Sequence, residues 1–405
     1  MIRRNPAVAK LQAGYLFPEI AKRRREYEAA HPGEKIISLG IGNTTEPIPP
    51  YIDSQLVMAA QALAHGETYT GYGEEQGLTS LREKIASVLY RGMVNADEIF
   101  ISDGAKCDIG RLQLLFGQGI DIAIQDPSYP VYVDGSVLTG AAGGISRSGE
   151  GTGYEGIVYL PCTAENLFFP DLSLIPRGSL IYFCSPNNPT GATTNRNQLT
   201  ELVNIALEKN CLIIFDASYC EYIRDPWLPK SIFETEGAKS CAIEVNSFSK
   251  TIGFTGVRLG WSVIPQNLKY SSGESINSDW NRICTTIFNG ASNIAQAGGL
   301  AALDEEGLKE MRVLIDYYLG NSKLIRDALN KYGIQNFGGD NSPYIWAHFP
   351  GRDSWDVFSE ILDKCRILCT PGRGFGPAGR EFIRFSAFGH RENIQEACQR
   401  LEQLT

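Results

Sequence analysis

The sequence predicts an α/β protein with two domains, a large one built on a mostly parallel sheet and a smaller α+β one. Short, nearly continuous apolar runs alternate with amphipathic helical patterns through the middle of the chain, as in parallel sheets that helices cover on both faces. Polar residues directly follow several of these runs, where open α/β sheets bind their ligands. The 405 residues are too many for one compact core.

Seven apolar stretches have the composition of buried strands. They are EIFISDG (98–104), IDIAIQDPSYP (120–130), GIVYLPC (156–162), SLIYFCSP (179–186), CLIIFDASY (211–219), CAIEVNSFS (241–249) and RLGWSVIP (258–265). The last is expected to run antiparallel to the others. Between them, residues 78–92 and 196–210 have the apolar spacing of amphipathic helices.

The domain boundaries follow from where this alternation begins and ends. Residues 36–293 are predicted to form the large domain. From about Ile294 the chain becomes helical, with a long amphipathic pattern over 305–333, and strand-like pieces then follow. The segment 1–35 lacks strand patterns and is expected to join 294–405 in the small domain. The glycine-rich stretch 138–156 is predicted to be a surface loop, with a ligand lid as the less favoured alternative.

Composition excludes several functional classes. The net charge of −9 argues against a partner that is nucleic acid or an anionic membrane. No run of about twenty apolar residues and no signal-peptide core occur, so a cytoplasmic location is expected. Four histidines and ten scattered cysteines indicate buried free thiols rather than a metal site.

The stretch NSFSKTIGFTGVRLGW, residues 246–261, contains the first candidate site. It places Lys250 among small residues, with two hydroxyl groups, Ser247 and Ser249, and a guanidinium, Arg258. Small residues let the backbone approach a ligand closely, and hydroxyls with an arginine suit a phosphate monoester. A lysine beside a bound phosphate suggests a phosphorylated aldehyde cofactor.

Three further features each give only weak evidence for a ligand site when taken alone. Ala105 and Lys106 follow a strand and a glycine, where free backbone N–H groups can hold an anion. Tyr129 lies between two prolines and could stack on a flat ring, or simply pack in a turn. Asn188 lies in an Asn-Pro-Thr-Gly sequence that also makes a good turn.

Asp216 ends the apolar strand CLIIFDASY, and Tyr219 follows three residues later. A carboxylate at the end of a parallel strand either anchors a cation or caps a loop. If the cofactor is a pyridine, this anion keeps the ring nitrogen protonated, and the ring then withdraws electrons from an adjacent carbanion.

In combination these motifs resemble the fold-type-I, pyridoxal-phosphate-dependent aminotransferases of classes I and II, over nearly the whole chain. The residues that carry the resemblance are Ser247, Ser249, Lys250, Gly253, Gly256, Arg258 and Gly260, together with Asn188-Pro189-Thr190-Gly191 and Asp216-Ala217-Ser218-Tyr219. It implies a seven-stranded sheet, pyridoxal 5'-phosphate as cofactor, and a homodimer with shared active sites.

The resemblance also implies a role for each matched residue. Lys250 would bond the cofactor aldehyde and move the substrate proton, Asp216 would pair with the ring nitrogen, and Asn188 and Tyr219 would bond the ring oxygen. Tyr129 would stack on the ring. The phosphate would be held by Ala105, Lys106, Ser247, Ser249, Arg258 and Tyr72 of the neighbouring subunit.

Within the family, the chain is most similar to the subfamily that acts on LL-diaminopimelate, in stretches such as LGIGNTTEPIPP, YTGYGEEQG and ISDGAKCDIGRLQ. This implies that Arg384 clamps the substrate α-carboxylate, with Gly42 close by. An acidic Glu74 suits a substrate with a distant ammonium group, because a buried cation needs an anionic partner. The further substrate-binding residues implied are Tyr15, Tyr72, Lys106, Tyr129, Asn188 and Asn289.

Other functions stay open on the sequence alone. They are an aromatic or aliphatic amino-acid aminotransferase of the same fold, a pyridoxal-phosphate lyase, and a transcription regulator with an aminotransferase-like domain. For Glu74 the alternative is an ordinary acid at a helix N-terminus.

Overall fold

The computed structural model describes residues 2–11, 16–146 and 153–404. Its strands are β1 Ile37–Ser38, β2 Ile99–Ser102, β3 Ile122–Asp126, β4 Ile145–Ser146, β5 Gly153–Tyr154, β6 Ile157–Pro161, β7 Leu180–Cys184, β8 Leu212–Asp216, β9 Ala242–Ser247, β10 Gly260–Val263, β11 Asn336–Gly338, β12 Tyr344–His348, β13 Ile367–Leu368, β14 Thr370–Pro371 and β15 Phe382–Ser386.

The α-helices are α1 Pro6–Lys10, α2 Leu16–Ala30, α3 Pro50–Ala62, α4 Thr79–Val88, α5 Ala105–Leu112, α6 Val131–Leu138, α7 Arg196–Lys209, α8 Ile276–Ile287, α9 Asn293–Ala302, α10 Glu305–Lys331, α11 Ser354–Glu360 and α12 Arg391–Arg400. Short 3-10 turns and one π-helical turn, Ile361–Cys365, connect them.

The seven predicted strands form one sheet, in the order β2-β10-β9-β8-β7-β3-β6. The pairs β9–β8, β8–β7, β7–β3 and β3–β6 are parallel. β10 is antiparallel to both β2 and β9, as predicted. The predicted fold class, a mostly parallel seven-stranded sheet in an α/β protein, is therefore confirmed.

Local sequence explains why the helices between these strands begin and end where they do. At the start of α7, the Asn195 side chain accepts the backbone N–H of Gln198, and the Gln198 side chain accepts the N–H of Asn195. This reciprocal capping box pairs N–H groups that the first turn would leave free. Asn210 ends the helix at φ 53°, in the left-handed conformation that asparagine tolerates well.

A second, antiparallel sheet has the order β11-β12-β15-β14, and β1 pairs in parallel with β13. The small core around it contains Leu16, Ile20 and Tyr27 of α2 together with Trp346 and Ile383. This packing supports the proposal that the N-terminal segment joins residues 294–405 in the small domain.

Helix α10 belongs to both cores. Its first half contributes Ile315 and Tyr318 to the core of the large sheet, and its second half contributes Ile325 and Leu329 to the small one. Helix α9 packs mainly on α3, so it also lies with the large sheet. The sequence predicted a large domain of residues 36–293 and a small domain of residues 294–405 with 1–35. We propose that the boundary between the two domains lies within α10 rather than before α9.

The glycine-rich stretch differs from the predicted loop. β4 and β5 pair in antiparallel register, with Ile145 opposite Tyr154, so part of it is a short hairpin; residues 147–152 lie outside the described part of the chain. Two consecutive residues on each side are enough for this pairing, which is too short to leave a readable period in the sequence.

Candidate active site

The carboxyl ends of the parallel strands bring the predicted site residues together. β8 ends at Asp216 and β9 at Ser247, and antiparallel β10 begins at Gly260 on the same edge, opposite Ser247 and Ser102. A Cβ on Gly260 would lie 2.8 Å from the Cα of Gly104. Only glycine lets these backbones approach so closely, and the start of α5 therefore packs beside the phosphate-type motif of residues 246–261.

Asp216 is buried and is held by two donors. Its Oδ2 accepts the hydroxyl of Tyr132 at 2.8 Å, and its Oδ1 accepts the backbone N–H of Ser218 at 3.0 Å. Burial raises the pKa of Asp216, while the hydrogen bonds from Ser218 and Tyr132 oppose that shift. A buried carboxylate with this geometry is suited to pair with a cationic ring nitrogen.

Lys250 points back to the N-terminal loop of the large domain. Its Nζ donates to the carbonyl oxygen of Gly42, and it lies 5.4 Å from the ring centre of Phe388. Burial, followed by the positive charges of Arg384 and Arg258, lowers the pKa of Lys250 to about 7. A substantial fraction of this amine is therefore neutral and nucleophilic near neutral pH.

Arg258 and two serines make a concave group of donors beside α5. Arg258 Nη1 donates to Ser249 Oγ at 3.0 Å, and Ser247 Oγ donates to Ser249 Oγ at 2.8 Å. A Cβ on Gly104 would lie 2.3 Å from Arg258 Nη2, so the guanidinium rests against the residue that caps α5.

The backbone N–H groups of Ala105 and Lys106 begin α5 at this point, whereas the Lys106 side chain is exposed. Hydroxyls, a guanidinium and a helix N-terminus together make a site for a phosphate group.

Arg384 is almost completely buried, at 1% exposure. Its Nη1 donates to Asn188 Oδ1 at 2.7 Å and its Nη2 to the carbonyl oxygen of Gly40 at 2.5 Å. Its Nε has no hydrogen-bond partner among the described residues. Because a buried unpaired donor is costly, this guanidinium is prepared to receive an anion such as a carboxylate.

Two buried tyrosines lie beside Arg384 in the candidate site. The hydroxyls of Tyr219 and Tyr344 are 2.7 Å apart, and burial raises the pKa of both. Tyr129 meets Tyr132 edge to face, with ring centres 5.9 Å apart. The predicted ring-contacting residues therefore adjoin the predicted carboxylate at the same edge of the sheet.

Three predicted substrate or cofactor residues form a separate surface group in the single chain. Tyr72 is 89% exposed. Glu74 Oε2 accepts Thr79 Oγ1 at 2.9 Å and Arg82 Nη2 at 3.2 Å, so it is also the helix N-terminal acid of the alternative interpretation. A Cβ on Gly290, next to the exposed Asn289, would lie 3.0 Å from the Glu74 carbonyl. Tyr15 lies outside the described residues.

The sequence-based interpretation missed several residues of the site. Tyr132 has a readable signal, because it follows Tyr129 by three positions in a turn that starts a helix. Tyr344 and Phe375 have none, since they come from the small domain and meet Arg384 only in the folded protein, at 4.4 and 4.8 Å from its Cζ to the ring centres.

Neither a metal site nor a membrane-spanning helix is present in the described residues. No group of three or more histidine, cysteine, aspartate or glutamate side chains there could hold a metal ion. No helix in that part of the chain combines the length and the apolar character needed to cross a membrane. The ten cysteines are all free.

Comparison with known proteins gives the same answer at three levels. Residues 34–401 match the family model for aminotransferase class I and II. The chain is 54% identical to a probable LL-diaminopimelate aminotransferase, chloroplastic, of Oryza sativa subsp. japonica, over 100% of this chain and 86% of the relative. It is 51% identical to an LL-diaminopimelate aminotransferase of Protochlamydia amoebophila, over 99% of this chain and 97% of the relative.

A solved structure is similar over the same extent. The L,L-diaminopimelate aminotransferase from Chlamydomonas reinhardtii superposes with a TM-score of 0.95 at 55% identity, covering 100% of this chain and 98% of that one. The likeness in fold and in sequence therefore extends over both domains.

Proposed function

The chain belongs to the class I and II aminotransferase family, and from this premise we propose the substrates and the cofactor. It transfers an amino group between LL-2,6-diaminopimelate and 2-oxoglutarate. The reaction interconverts these compounds: in the biosynthetic direction L-glutamate is the amine donor, and tetrahydrodipicolinate, whose ring opens as it takes up water, is the acceptor. This places the enzyme in lysine biosynthesis and, in bacteria, in the supply of a peptidoglycan precursor.

One observation carries the substrate assignment. Relatives with that name are 51%, 53% and 54% identical to this chain over 99–100% of its length. The geometry of the site supports the reaction class, since a low-pKa lysine lies close to a buried arginine and an anion cradle.

The donor set fits pyridoxal 5'-phosphate. When bound, this cofactor supplies an aldehyde that captures amines and a protonated ring that withdraws electrons from the substrate α-carbon. Ser249, Arg258 and the start of α5 would hold its phosphate, and the Asp216 carboxylate would hold the ring-nitrogen proton. Asn188 and Tyr219 would donate to its ring oxygen, and Tyr129 would cover its ring.

Lys250 has two tasks in this proposal. As a neutral amine it would hold the cofactor through its aldehyde group, and as a free amine it would accept the proton from the substrate α-carbon. Both tasks need a pKa near the working pH, which burial and two neighbouring arginines supply here. Arg384 orients the substrate by binding its α-carboxylate with a planar fork of donors.

The distal end of diaminopimelate carries an ammonium and a carboxylate group, which need partners of their own. We propose that a homodimer supplies these partners, with Tyr72, Glu74 and Asn289 of one subunit reaching the site of the other. Tyr15 would fold over the substrate pocket. Exposure of Tyr72 at 89% and of the Glu74 side chain at 55% supports this assignment. We also propose a cytoplasmic location.

The test is a coupled assay of the purified protein with 2-oxoglutarate and three donors: LL-diaminopimelate, meso-diaminopimelate and phenylalanine. We expect turnover with the LL isomer at least tenfold faster than with either other donor. The variant Glu74→Gln should lose most of this preference, because the distal ammonium loses its anion, while Glu75→Gln, at the next position, serves as the control. Equal rates on LL and meso isomers, or faster turnover of phenylalanine, would reject the assignment.

A further inference from the structure

Tyr344 connects parts of the site that come from distant regions of the chain. It begins β12 of the small sheet and is 1% exposed. Its hydroxyl lies 2.7 Å from that of Tyr219, which follows β8 of the large sheet. Its ring lies 4.4 Å from the guanidinium carbon of Arg384 on β15. One side chain thus contacts the expected cofactor side and the expected substrate side together.

The sheet register explains the contact with Arg384. Strands β12 and β15 pair with Tyr344 opposite Ser386 and Trp346 opposite Arg384. Tyr344 and Arg384 are therefore diagonal neighbours, a separation that an aromatic ring and a long side chain can span. The attraction between a cation and an aromatic face is largest where water is excluded, and both of these residues are buried.

The loop before α3 is in contact with the same tyrosine. A Cβ on Gly42 would lie 2.3 Å from the Tyr344 hydroxyl oxygen, so the backbone of this loop rests against it. That loop presents the Gly42 carbonyl to Lys250 and the Gly40 carbonyl to Arg384. A shift of Tyr344 would consequently move the partners of both charged residues.

The hydrogen bond between the two tyrosines has a direction that matters. Only one hydrogen lies between two hydroxyl oxygens, so one tyrosine keeps its own proton free for another acceptor. If Tyr219 donates to the ring oxygen of the cofactor, Tyr344 must donate to Tyr219. That donation orients the Tyr219 hydroxyl and makes it a stronger donor, because linked hydrogen bonds polarise one another.

We propose that Tyr344 is a positioning residue for the transamination site: its hydroxyl orients that of Tyr219, and its ring holds the Arg384 guanidinium in place for the substrate carboxylate. The two tasks belong to different parts of one side chain and are separable by substitution. The inference rests on the proposed cofactor and on the role of Arg384, and does not depend on which amino acid is the donor.

The experiment compares Tyr344→Phe, which removes only the hydroxyl, with Tyr344→Leu, which also removes the ring. Three quantities are measured on the cofactor-loaded protein: the Kd of maleate, a dicarboxylate that cannot react, the midpoint of the pH titration of the visible absorption band, and kcat and KM for glutamate. Tyr90→Phe, which removes a buried tyrosine hydroxyl bonded to Glu244 rather than to Tyr219, is the matched control.

For Tyr344→Phe we expect a maleate Kd within twofold of wild type, a titration midpoint raised by about half a pH unit or more, and a lower kcat at unchanged KM. The midpoint rises because a weaker hydrogen bond stabilises the deprotonated ring oxygen less. For Tyr344→Leu we expect a maleate Kd and a KM that are about tenfold higher in addition.

Equal maleate Kd values for the Phe and Leu variants would overturn the role of the ring. An unshifted titration midpoint in Tyr344→Phe would overturn the role of the hydroxyl. A midpoint shift of the same size in Tyr90→Phe would mean that loss of any buried hydroxyl has this effect through stability. That result would also overturn the role of the Tyr344 hydroxyl. Because maleate and glutamate are the probes, failure of LL-diaminopimelate as a donor would leave these results interpretable and would reject only the proposed substrate.

Discussion

At the scale of single residues, burial in this site shifts the pKa values of Lys250 and Asp216 away from their ordinary values. Lys250 becomes a weaker base because it is buried near two arginines. Asp216 becomes a weaker acid because it is buried, although Ser218 and Tyr132 partly offset this. A cationic ring at Asp216 would favour the ionised carboxylate, and a phosphate beside Arg258 would offset the positive charge of that guanidinium. The site is therefore electrostatically suited to a ligand that carries a positive ring and a negative phosphate.

The Lys250 shift predicts how the cofactor-free protein captures pyridoxal phosphate. Only the neutral amine reacts, so the capture rate should rise with pH and reach half its maximum near the pKa of about 7. Arg384→Gln removes one of the cations that lower this pKa, so the half-maximum should move to higher pH, by several tenths of a unit or more. Stopped-flow absorbance measures both profiles.

Arg224→Gln provides the control for this experiment, since Arg224 pairs with Asp316 on the surface. A superimposable profile for Arg384→Gln and wild type would show that the neighbouring guanidinium does not set the pKa of the lysine.

At the scale of elements, strand β9 supplies a polar side chain to the site at one end and buries an ionisable side chain nearer its other end. Its carboxyl end supplies Ser247 to the site. Further back, Glu244 is fully buried and accepts the hydroxyls of Tyr90 at 2.7 Å and Ser231 at 2.6 Å, and the N–H of Ile232 at 3.1 Å. This network ties β9 to α4's following turn and to the loop after β8, so its function is to hold the strand in register.

Glu244 should make stability depend on pH in a defined window. Burial raises the pKa of Glu244 to about 7, from an ordinary value of 4.5. Between these pH values the folded protein binds more protons than the unfolded chain, so the free energy of unfolding falls as pH rises. The slope is at most about 1.4 kcal/mol per pH unit.

Glu244→Gln stays neutral and should lack this slope. Urea unfolding of both proteins between pH 5 and 8 measures it: the stability of wild type minus that of the variant should decline with rising pH. A constant difference across this range would mean that Glu244 does not titrate within it.

At the scale of the whole molecule, the site lies where two cores meet, and contacts between them hold it together. Arg384 on the small sheet bonds Asn188 after β7 of the large one. A second contact joins the two parts at the end of β3, where both carboxyl oxygens of Asp126 lie 3.2 Å from the backbone nitrogen of Ala378. A Cβ on Gly376 would lie 2.1 Å from Asp126 Oδ1, so glycine is required where the loop crosses the carboxyl group.

The contact between Asp126 and the Ala378 segment should open more easily as the Asp126 carboxyl group ionises. Burial raises the pKa of Asp126 to about 7, although the Ala378 N–H opposes the shift. From an ordinary value of 3.8 up to that pKa, the closed contact binds more protons than the open one, so closure weakens as pH rises, by up to about tenfold per pH unit.

Hydrogen exchange of the segment around Ala378, corrected for its intrinsic pH dependence, measures this opening. Asp126→Asn should abolish the pH dependence. Asp171→Asn is the matched control, because Asp171 accepts a backbone N–H from Ser173 at 2.9 Å on the surface. Protection that does not change with pH in wild type would contradict the expectation.

Much of this fold was predictable because its determinants are local. The run Leu212–Asp216 is apolar up to its final carboxylate, and α10 has an apolar stripe along 27 residues, so composition and period alone located both. Ser249, Lys250 and Arg258 were found for a similar reason, since they lie within ten consecutive residues and the chemistry of that stretch is readable in order.

The order of residues along the chain thus determined which reactive groups this protein has: a lysine, a carboxylate, a set of donors suited to a phosphate, and an arginine. Only the tertiary structure decided how they are paired. The bonds Tyr132–Asp216, Tyr219–Tyr344 and Asn188–Arg384 join residues that are 84, 125 and 196 positions apart. Such pairs depend on strand register and on the docking of two cores, and burial at that junction sets the pKa of each group; none of these is a property of a local stretch of sequence.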